Sequence, residues 1–355
     1  MKILHIITNT ELGGAQRVCI DLCNCASSEG NAVAVASMAG GYLWEQLVPA
    51  VLQYQLNYMV KPISIKKDFK VLFELKEVVK DFEPDIIHLH SSKAGVLGRV
   101  VSLFHSHRVV YTVHGFDSIR LKYRIFLPLE KMLQFFSGAI VGVSQYDKNN
   151  LFAEKIKKNV YVIHNGIMGQ EKNLAENFPI EVGSKKTVLT IARISPQKKI
   201  QLFLDTAKQL KEYNFIWIGG DSDVPSKMLA SHYAAPENVY LLGDIPDASR
   251  FIHLCDLFVL FSNYEGLPMT IIEAMSQKKA VVASNVGGIN ELVDDTNGCL
   301  IDNKVDSAVK AIKTILEDDT LRSSMEAASY QKFSNNFTLE QMWKKYKAIY
   351  KSVIK

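Results

Sequence analysis

Cysteine is scarce in this chain, and what there is does not form a framework: five residues, three of them (Cys19, Cys23, Cys25) clustered in one helix-like stretch. An odd count leaves at least one thiol unpaired, and the cluster lacks both the Cys-x-x-Cys pairs and the companion histidines of a zinc site. Reduced thiols and no metal are therefore expected. Long apolar runs are absent as well. No segment approaches the roughly 20 apolar residues a membrane span needs, and the opening Met1-Lys2-Ile3-Leu4-His5-Ile6-Ile7-Thr8-Asn9 is too short for a signal peptide, so the expected location is cytoplasmic. Neither low-complexity tracts nor a short tandem repeat is present, which argues against disorder and against a solenoid. A strong charge of one sign is missing too. The net charge of +4 on 355 residues, with no binding motif beside it, gives no reason to expect nucleic acid.

The modest charge is unevenly placed. Residues 1–170 hold 19 Lys and Arg against 14 Asp and Glu, about +5, leaving about −1 for the rest. Basic and aromatic residues mix in Arg120-Leu121-Lys122-Tyr123-Arg124-Ile125-Phe126, with more cations at Lys66, Lys67, Arg99 and Arg108. Such a composition suits the anionic inner face of a cell membrane, and peripheral contact there is one expectation.

What is present is alternation. Short apolar runs at residues 3–8, 32–37, 86–90, 109–113, 139–143 and 160–164 read as strands, separated by helical patterns such as 15–28 and 72–81. A polar stretch, residues 169–179, interrupts the series. Strand-like runs then resume at 187–191, 215–218, 239–242, 257–261 and 280–283. Alternating strands and helices imply parallel sheets covered on both faces, and a chain of this length exceeds what one core usually serves. The expectation is an α/β protein of two Rossmann-like domains facing across a cleft: residues 1–168 with the last helix, 338–355, and residues 169–337. That last helix carries an apolar stripe of Met342, Trp343, Tyr346, Ile349, Tyr350 and Val353 amid lysines.

The most informative segment is Ser262-Asn263-Tyr264-Glu265-Gly266-Leu267-Pro268-Met269-Thr270-Ile271-Ile272-Glu273-Ala274-Met275. It follows a buried-type strand, Leu257-Phe258-Val259-Leu260-Phe261. Gly266 and Pro268 break that strand, with Pro268 expected at the first helical position. Glu265 then lies in a loop at the strand's carboxyl end and Glu273 on the second turn of the helix. Ligands of open α/β sheets collect there, and a helix N-terminus favours an anion. Carboxylates accept hydrogen bonds from hydroxyls, so two acids beside a phosphate-friendly helix end suit a nucleotide sugar.

Other pieces share this strand-loop-helix setting. Gly13 and Gly14, in Glu11-Leu12-Gly13-Gly14-Ala15-Gln16-Arg17, join the first strand to the first helix and would let a ligand approach backbone N–H groups. His114, with Gly115, ends the strand at 109–113; His88 and His90 alternate within another. Arg193 and Lys198, in Ala192-Arg193-Ile194-Ser195-Pro196-Gln197-Lys198-Lys199, supply a guanidinium fork and a mobile ammonium after the first strand of the second half, a pair able to neutralise a diphosphate. Asp221-Ser222-Asp223 has metal-site spacing, but its place after Gly219-Gly220 reads as a turn. Gly287-Gly288 leads into another helix, where Glu291 caps the helix or meets a hydroxyl.

Taken in order, Gly13-Gly14 with Arg17, His114-Gly115, Asn165-Gly166, Arg193 with Lys198, the Glu265 to Glu273 segment, and Gly287-Gly288 with Glu291 resemble the retaining glycosyltransferases of family 4, which have the GT-B fold. The resemblance spans nearly the whole chain. It implies that the second domain binds a nucleotide diphosphate sugar without a metal or other cofactor. Arg193 and Lys198 would hold the diphosphate, Glu273 the ribose, and Glu265 with Gly266 and Leu267 the donor sugar. Gly13 and Gly14 would stand beside the phosphate, His114 would position the sugar, and the final helix would return to the first domain. The acceptor would be a saccharide, here a lipid-linked one of surface polysaccharide synthesis. Two positions depart from the family pattern: Met168 where an Asp usually follows Asn-Gly-Ile, and Lys199 where a glycine usually follows the phosphate-binding lysine, which leaves open whether Lys198 or Lys199 reaches the diphosphate. A nucleotide-sugar 2-epimerase and a sugar-nucleotide-binding protein without turnover are the alternatives that the same architecture would allow.

Overall fold

In the computed structural model, residues 1–11, 13–103, 108–169 and 178–354 are described; most of the polar stretch 169–179 and Leu12 lie outside them. The chain divides into two compact units, Met1–Gly166 with Leu339–Lys355, and Ile167–Thr338.

In unit 1, seven strands form one sheet in the order β3-β2-β1-β4-β5-β6-β7, every pair parallel. They are β1 (Lys2–Ile6), β2 (Ala32–Met38), β3 (Leu52–Leu56), β4 (Ile86–His90), β5 (Val109–Val113), β6 (Ala139–Gly142) and β7 (Val160–Val162). The connecting helices are α1 (Gly14–Ser28), α2 (Ile65–Phe82), α3 (Ser92–Val101), α4 (Leu127–Leu133) and α5 (Gln145–Ala153). Because helices cover both faces, the central strands carry unbroken apolar runs; all five residues of β4 and of β5 are buried. The edge strand β3, Leu-Gln-Tyr-Gln-Leu, was not expected from sequence. Only Leu56 in it is buried, so it offers no apolar run to read.

In unit 2, six strands run parallel in the order β10-β9-β8-β11-β12-β13: β8 (Thr187–Ile191), β9 (Asn214–Ile218), β10 (Val239–Leu241), β11 (Leu257–Leu260), β12 (Val281–Ser284) and β13 (Gly298–Ile301). Between and after them lie α6 (Ile200–Gln209), α7 (Leu229–His232), α8 (Met269–Ser276), α9 (Ile289–Leu292), α10 (Val305–Glu317) and α11 (Asp319–Asn336). Here too the unexpected strand is an edge one, β13. Aromatic packing of Phe203 edge-on against Phe215 and Trp217 ties α6 to the sheet, and Trp217 Nε1 donates to the Ala192 carbonyl 2.7 Å away.

The last helix, α12 (Leu339–Ile354), packs on unit 1 through its apolar stripe, with Tyr346 and Tyr350 fully buried. Their hydroxyls end on polar groups of the sheet: Tyr350 2.7 Å from His88 Nδ1, Tyr346 3.0 Å from Thr112 Oγ1, while His88 Nε2 lies 2.7 Å from the same threonine. At the rim Trp343 Nε1 and Lys347 Nζ both donate to Glu29. Met342 adds its sulfur, which accepts from Gly166 N–H at 3.2 Å. Every polar atom in the His88 cluster has a partner, as burial demands. Tyr350→Phe removes one partner and strands His88 Nδ1 in the core; denaturant unfolding should show a loss of about 1–3 kcal/mol.

Candidate functional site

In both sheets the strand order reverses between two neighbours, β1 and β4 in unit 1, β8 and β11 in unit 2. Loops that leave the carboxyl ends of such a pair diverge and open a crevice between them, which is where open α/β sheets take ligands. Of the residues singled out by sequence, Gly13 and Gly14 follow β1, and Arg193, Lys198 and Glu265 follow β8 and β11; His114 follows β5 and the Gly287-Gly288 turn follows β12, each one strand further along.

In unit 2 the loop after β8 and the loop after β11 are laced together. Asn263 N–H donates to Gln197 O at 2.9 Å, Lys199 N–H to Phe261 O at 3.0 Å, Gln197 Nε2 to Tyr264 O at 2.8 Å, and Asn263 Nδ2 to Pro196 O at 2.9 Å. The lacing brings Lys198 Nζ onto Glu265 Oε1 in an ion pair that is largely buried on both sides. Ser262 Oγ donates to that same oxygen at 2.7 Å. Oε1 thus takes two bonds, while Oε2 has none among the described residues. Lys198, with three N–H donors, keeps capacity for a further acceptor. Lys199 goes elsewhere: its Nζ lies 3.4 Å from Asn263 Oδ1. Of the two adjacent lysines, only Lys198 is held at Glu265.

Arg193 leaves the end of β8 into solvent, and its guanidinium makes no ion pair among the described residues. The backbone beneath it is fixed by Gly219, whose φ of +134° sets it in a region that disfavours side chains and where a Cβ would fall 2.1 Å from the Ala192 carbonyl. Asp221 and Asp223 form a turn: Asp223 N–H donates to Asp221 Oδ1, and Tyr233 donates to the other Asp221 oxygen.

Beyond Glu265 the chain enters α8. The helix starts at Met269, so Pro268 is the residue before the first helical position, not the first, with extended ψ of 122°. Glu273 stands on the second turn, half-buried. Gly266 and Leu267 form the turn between, and the Gly287-Gly288 turn after β12 lies directly against it. Gly288 N–H donates to Gly266 O at 3.1 Å, and a Cβ on Gly287 would come within 1.9 Å of the Glu265 carbonyl oxygen, at a φ of +60°. Glu291, on the short α9, is half-buried there too. A third tier sits below: Ser284 Oγ accepts from Ser262 N–H at 2.9 Å, and Asn303 Nδ2 donates to Ser262 O at 3.0 Å. Sequence reading missed Ser262, Ser284 and Asn303. Their only signal was polar residues at the tips of apolar strands.

In unit 1, β1 pairs with β4 so that His5 faces His88, and β4 pairs with β5 so that His90 faces Thr112. Since residues two apart share a face, His5, His88, His90 and the nearby His114 all project to one side. His114 Nε2 lies 3.1 Å from His90 Nδ1, and His90 Nε2 lies 3.1 Å from His5 Nδ1. Burial pushes His114 down to about 4 and holds His88 and His90 well below the usual imidazole range. His90 and His114, kept neutral, carry one N–H each, so one donates to the other, and the direction of that bond decides which tautomer His114 adopts. Nδ1 is the nitrogen His114 has left for a ligand. His5 Nε2 ends the chain buried and without a partner, near Cys19; the ligand atoms of His5, Cys19 and His90 lie within 4.8 Å of one another, the one grouping of metal-ligating type among the described residues. Two of those three atoms already face each other at hydrogen-bond distance. Gly13 and Gly14 open α1 after β1, and at the β4 end Ser91 Oγ lies 2.8 Å from Thr8 Oγ1.

Two family models divide the chain between them: Glycosyltransferase Family 4 matches residues 12–168, and Glycosyl transferases group 1 matches residues 170–332. The chain belongs to family 4 of the glycosyltransferases. It is an enzyme of that class with the GT-B fold. Among characterised relatives, the Escherichia coli UDP-Gal:alpha-D-GlcNAc-diphosphoundecaprenol alpha-1,3-galactosyltransferase is 29% identical, with 99% of this chain and 96% of that protein aligned. The N,N'-diacetylbacillosaminyl-diphospho-undecaprenol alpha-1,3-N-acetylgalactosaminyltransferase of Campylobacter jejuni is 26% identical over 83% of this chain and 84% of its own. In fold, Anabaena HepE in complex with UDP-glucose superposes with a TM-score of 0.82 at 22% identity, covering 99% of this chain and all of that one.

Two expectations follow for this glycosyltransferase. Gly287→Ala should displace the Glu265 turn, costing roughly 1–3 kcal/mol for the strained φ alone and lowering transfer activity beyond the loss of folded protein. Acid should also destabilise unit 1. Below the unfolded imidazole value near 6.5 the unfolded chain takes up protons that His88, His90 and His114 refuse, so stability, full above that pH, falls as pH drops from about 6.5 toward about 4. Melting curves at pH 7.5 and 5 check the sign.

Proposed function

We propose that the enzyme transfers a hexose from a uridine diphosphate sugar, with retention of anomeric configuration, to a hydroxyl of a saccharide carried on a polyprenyl diphosphate. The observation that carries the reading is the laced pair of loops after β8 and β11, which sets Lys198 on Glu265, with Arg193 exposed on the first of the two loops. Relatives named for such donors and acceptors, and a fold shared with a protein that holds UDP-glucose, support the choice of base and acceptor class.

Arg193 and Lys198 would meet the diphosphate. As the bond from anomeric carbon to β-phosphate oxygen breaks, negative charge grows on that phosphate, so fixed cations stabilise the transition state more than the ground state. Glu273 would accept from the ribose hydroxyls, Glu265 through Oε2 from the donor sugar, with Gly266 and Leu267 lining the turn and Glu291 and the α9 amides alongside. In unit 1, His114 would bind a sugar hydroxyl as a neutral imidazole through Nδ1, and the Gly13-Gly14 backbone would approach the phosphate. We take Glu265 as a ligand and not a nucleophile, because the buried ammonium of Lys198 and the Ser262 hydroxyl both draw charge from its carboxylate. Retention is then a front-face substitution. The acceptor oxygen bonds to carbon on the side the phosphate leaves, and the departing phosphate oxygen takes the acceptor proton. No metal is required for this, since two side-chain cations answer the leaving charge.

The test is transfer from UDP-galactose, UDP-glucose and their N-acetyl counterparts to GlcNAc-diphospho-undecaprenol, with product mass and anomeric coupling measured in chelator. One donor should give an α-linked product, and Arg193→Ala or Glu265→Gln should lower kcat/KM by about 100-fold or more. No product from any donor, or an inverted linkage, contradicts the reading.

A further inference from the structure

A row of imidazoles leads from the core of unit 1 to one of the residues set against the donor, crossing three neighbouring strands. His5 on β1, His90 at the end of β4 and His114 just past β5 are linked by two contacts of 3.1 Å, His5 Nδ1 to His90 Nε2 and His90 Nδ1 to His114 Nε2. The ring planes differ by only 15° and 24°, with centroids 5.3 and 5.4 Å apart. Nitrogens so close on rings so far apart put the three edge to edge, the in-line geometry that a hydrogen bond prefers. His88 lies near, 4.0 Å from His90 between centroids, but its nitrogens face Tyr350 and Thr112 and it takes no part in the row.

His90 is fully buried, and burial keeps it neutral, so it carries one N–H between two bonded nitrogens. If Nδ1 donates to His114, Nε2 must accept from His5; if Nε2 donates to His5, Nδ1 must accept from His114. The two bonds therefore point the same way, and the His5 end selects the direction. There His5 Nε2 is buried and bonded to no nitrogen or oxygen. Beside His5 stands the thiol of Cys19; its sulfur and the ligand nitrogens of His5 and His90 lie within 4.8 Å of one another. Cys23, hydrogen-bonded to it, and then His5 draw that thiol down to about 6 against the effect of burial. In a row pointing toward His5, His5 Nδ1 would be bare and the proton would sit on Nε2, buried against sulfur, a weak acceptor. In a row pointing toward His114, a bare Nε2 can take the thiol proton and no N–H is left unpaired.

We infer that His90 is a positioning residue: it fixes His114 as the tautomer protonated on Nδ1, so that His114 meets the donor sugar as a hydrogen-bond donor. The inference rests on the proposed contact between His114 and a sugar hydroxyl and adds a direction to it. The hydroxyl accepts from His114 and keeps its own proton for another group. Released from His90, His114 would exchange between tautomers, and the wrong one presents a lone pair where a donor is needed.

Long-range proton–nitrogen correlation spectra of the full chain, labelled with nitrogen-15 at histidine, read the tautomer directly, with the His114 signals identified by their loss in His114→Gln. In the parent, His114 Nδ1 should be protonated and Nε2 bare. His90→Phe should convert His114 to the opposite or a mixed form and raise KM for the UDP-sugar about fivefold to tenfold, while the Kd of UDP, which lacks the sugar, stays within about twofold. Cys19→Ala should move tautomer and KM the same way from the far end of the row, and Cys19→Ser, which keeps a donor, should restore both. Tyr350→Phe, which weakens the same core at His88, should lower the melting temperature and leave tautomer and KM alone. A parent His114 protonated on Nε2, a tautomer unmoved in both His90→Phe and Cys19→Ala, or a tautomer that flips with no change in KM would overturn the inference. If His114→Gln also leaves that KM unchanged, it is the contact of His114 with the sugar that has failed, and the positioning role falls with it.

Discussion

The ion pair between Lys198 and Glu265 is the constraint around which unit 2 is arranged. Burying two charges costs desolvation that their mutual attraction offsets only with good geometry and further hydrogen bonds. The fold supplies these. Ser262 shares the Glu265 oxygen, Ser284 and Asn303 hold Ser262, and the exchange of hydrogen bonds between residues 196–199 and 261–264 fixes both partners. A stability argument alone does not account for this, since an apolar pair would hold two loops as well. What the pair provides is a cation and a carboxylate at a set spacing, each with bonding capacity left over. That is the minimum needed to hold the phosphate and the sugar of one donor at once.

Unit 1 solves a different problem. Its sheet carries four histidines on one side, and burial keeps three of them uncharged. Neutral imidazoles can donate and accept, so they knit strands to α12 through Tyr346 and Tyr350 without the penalty of buried charge. A separate chain, His5 to His90 to His114, runs beside it and ends at His114. Its tautomer is thereby tied to residues in the core, and a change at His90 or His5 reaches the one ring that the family resemblance sets against the sugar.

How much of this was legible in the sequence follows from what each feature depends on. The central strands, the helix after Glu265 and the loops bearing Arg193, Lys198, Glu265 and Gly287 read directly, because apolar runs and glycine turns are local signals. The edge strand β3 did not, since only Leu56 in it is buried, and β13 offers an apolar run of just three residues after a glycine, Cys299-Leu300-Ile301. The first turns of α2 were missed for a related reason: Ile65 and Phe69 face outward, so the core-facing periodicity begins only near Leu72. The histidine chain was beyond reach. His88 and His90 are visible as an alternating pair, but that β1 lies beside β4, and that His5 meets them, is a property of sheet order. Likewise the sequence places Lys198 and Lys199 on equal terms, and only the lacing of the loops sends one to Glu265 and the other to Asn263.

That last distinction gives the sharpest test of the donor site. Calorimetric titration of UDP into the intact protein in chelator, with the parent, Lys198→Ala and Lys199→Ala compared, reads the geometry directly. The account predicts metal-independent binding that weakens by tenfold or more, about 1.4 kcal/mol, in Lys198→Ala and stays within about twofold in Lys199→Ala. Equal losses, a loss only at Lys199, or binding that vanishes with chelator would contradict it.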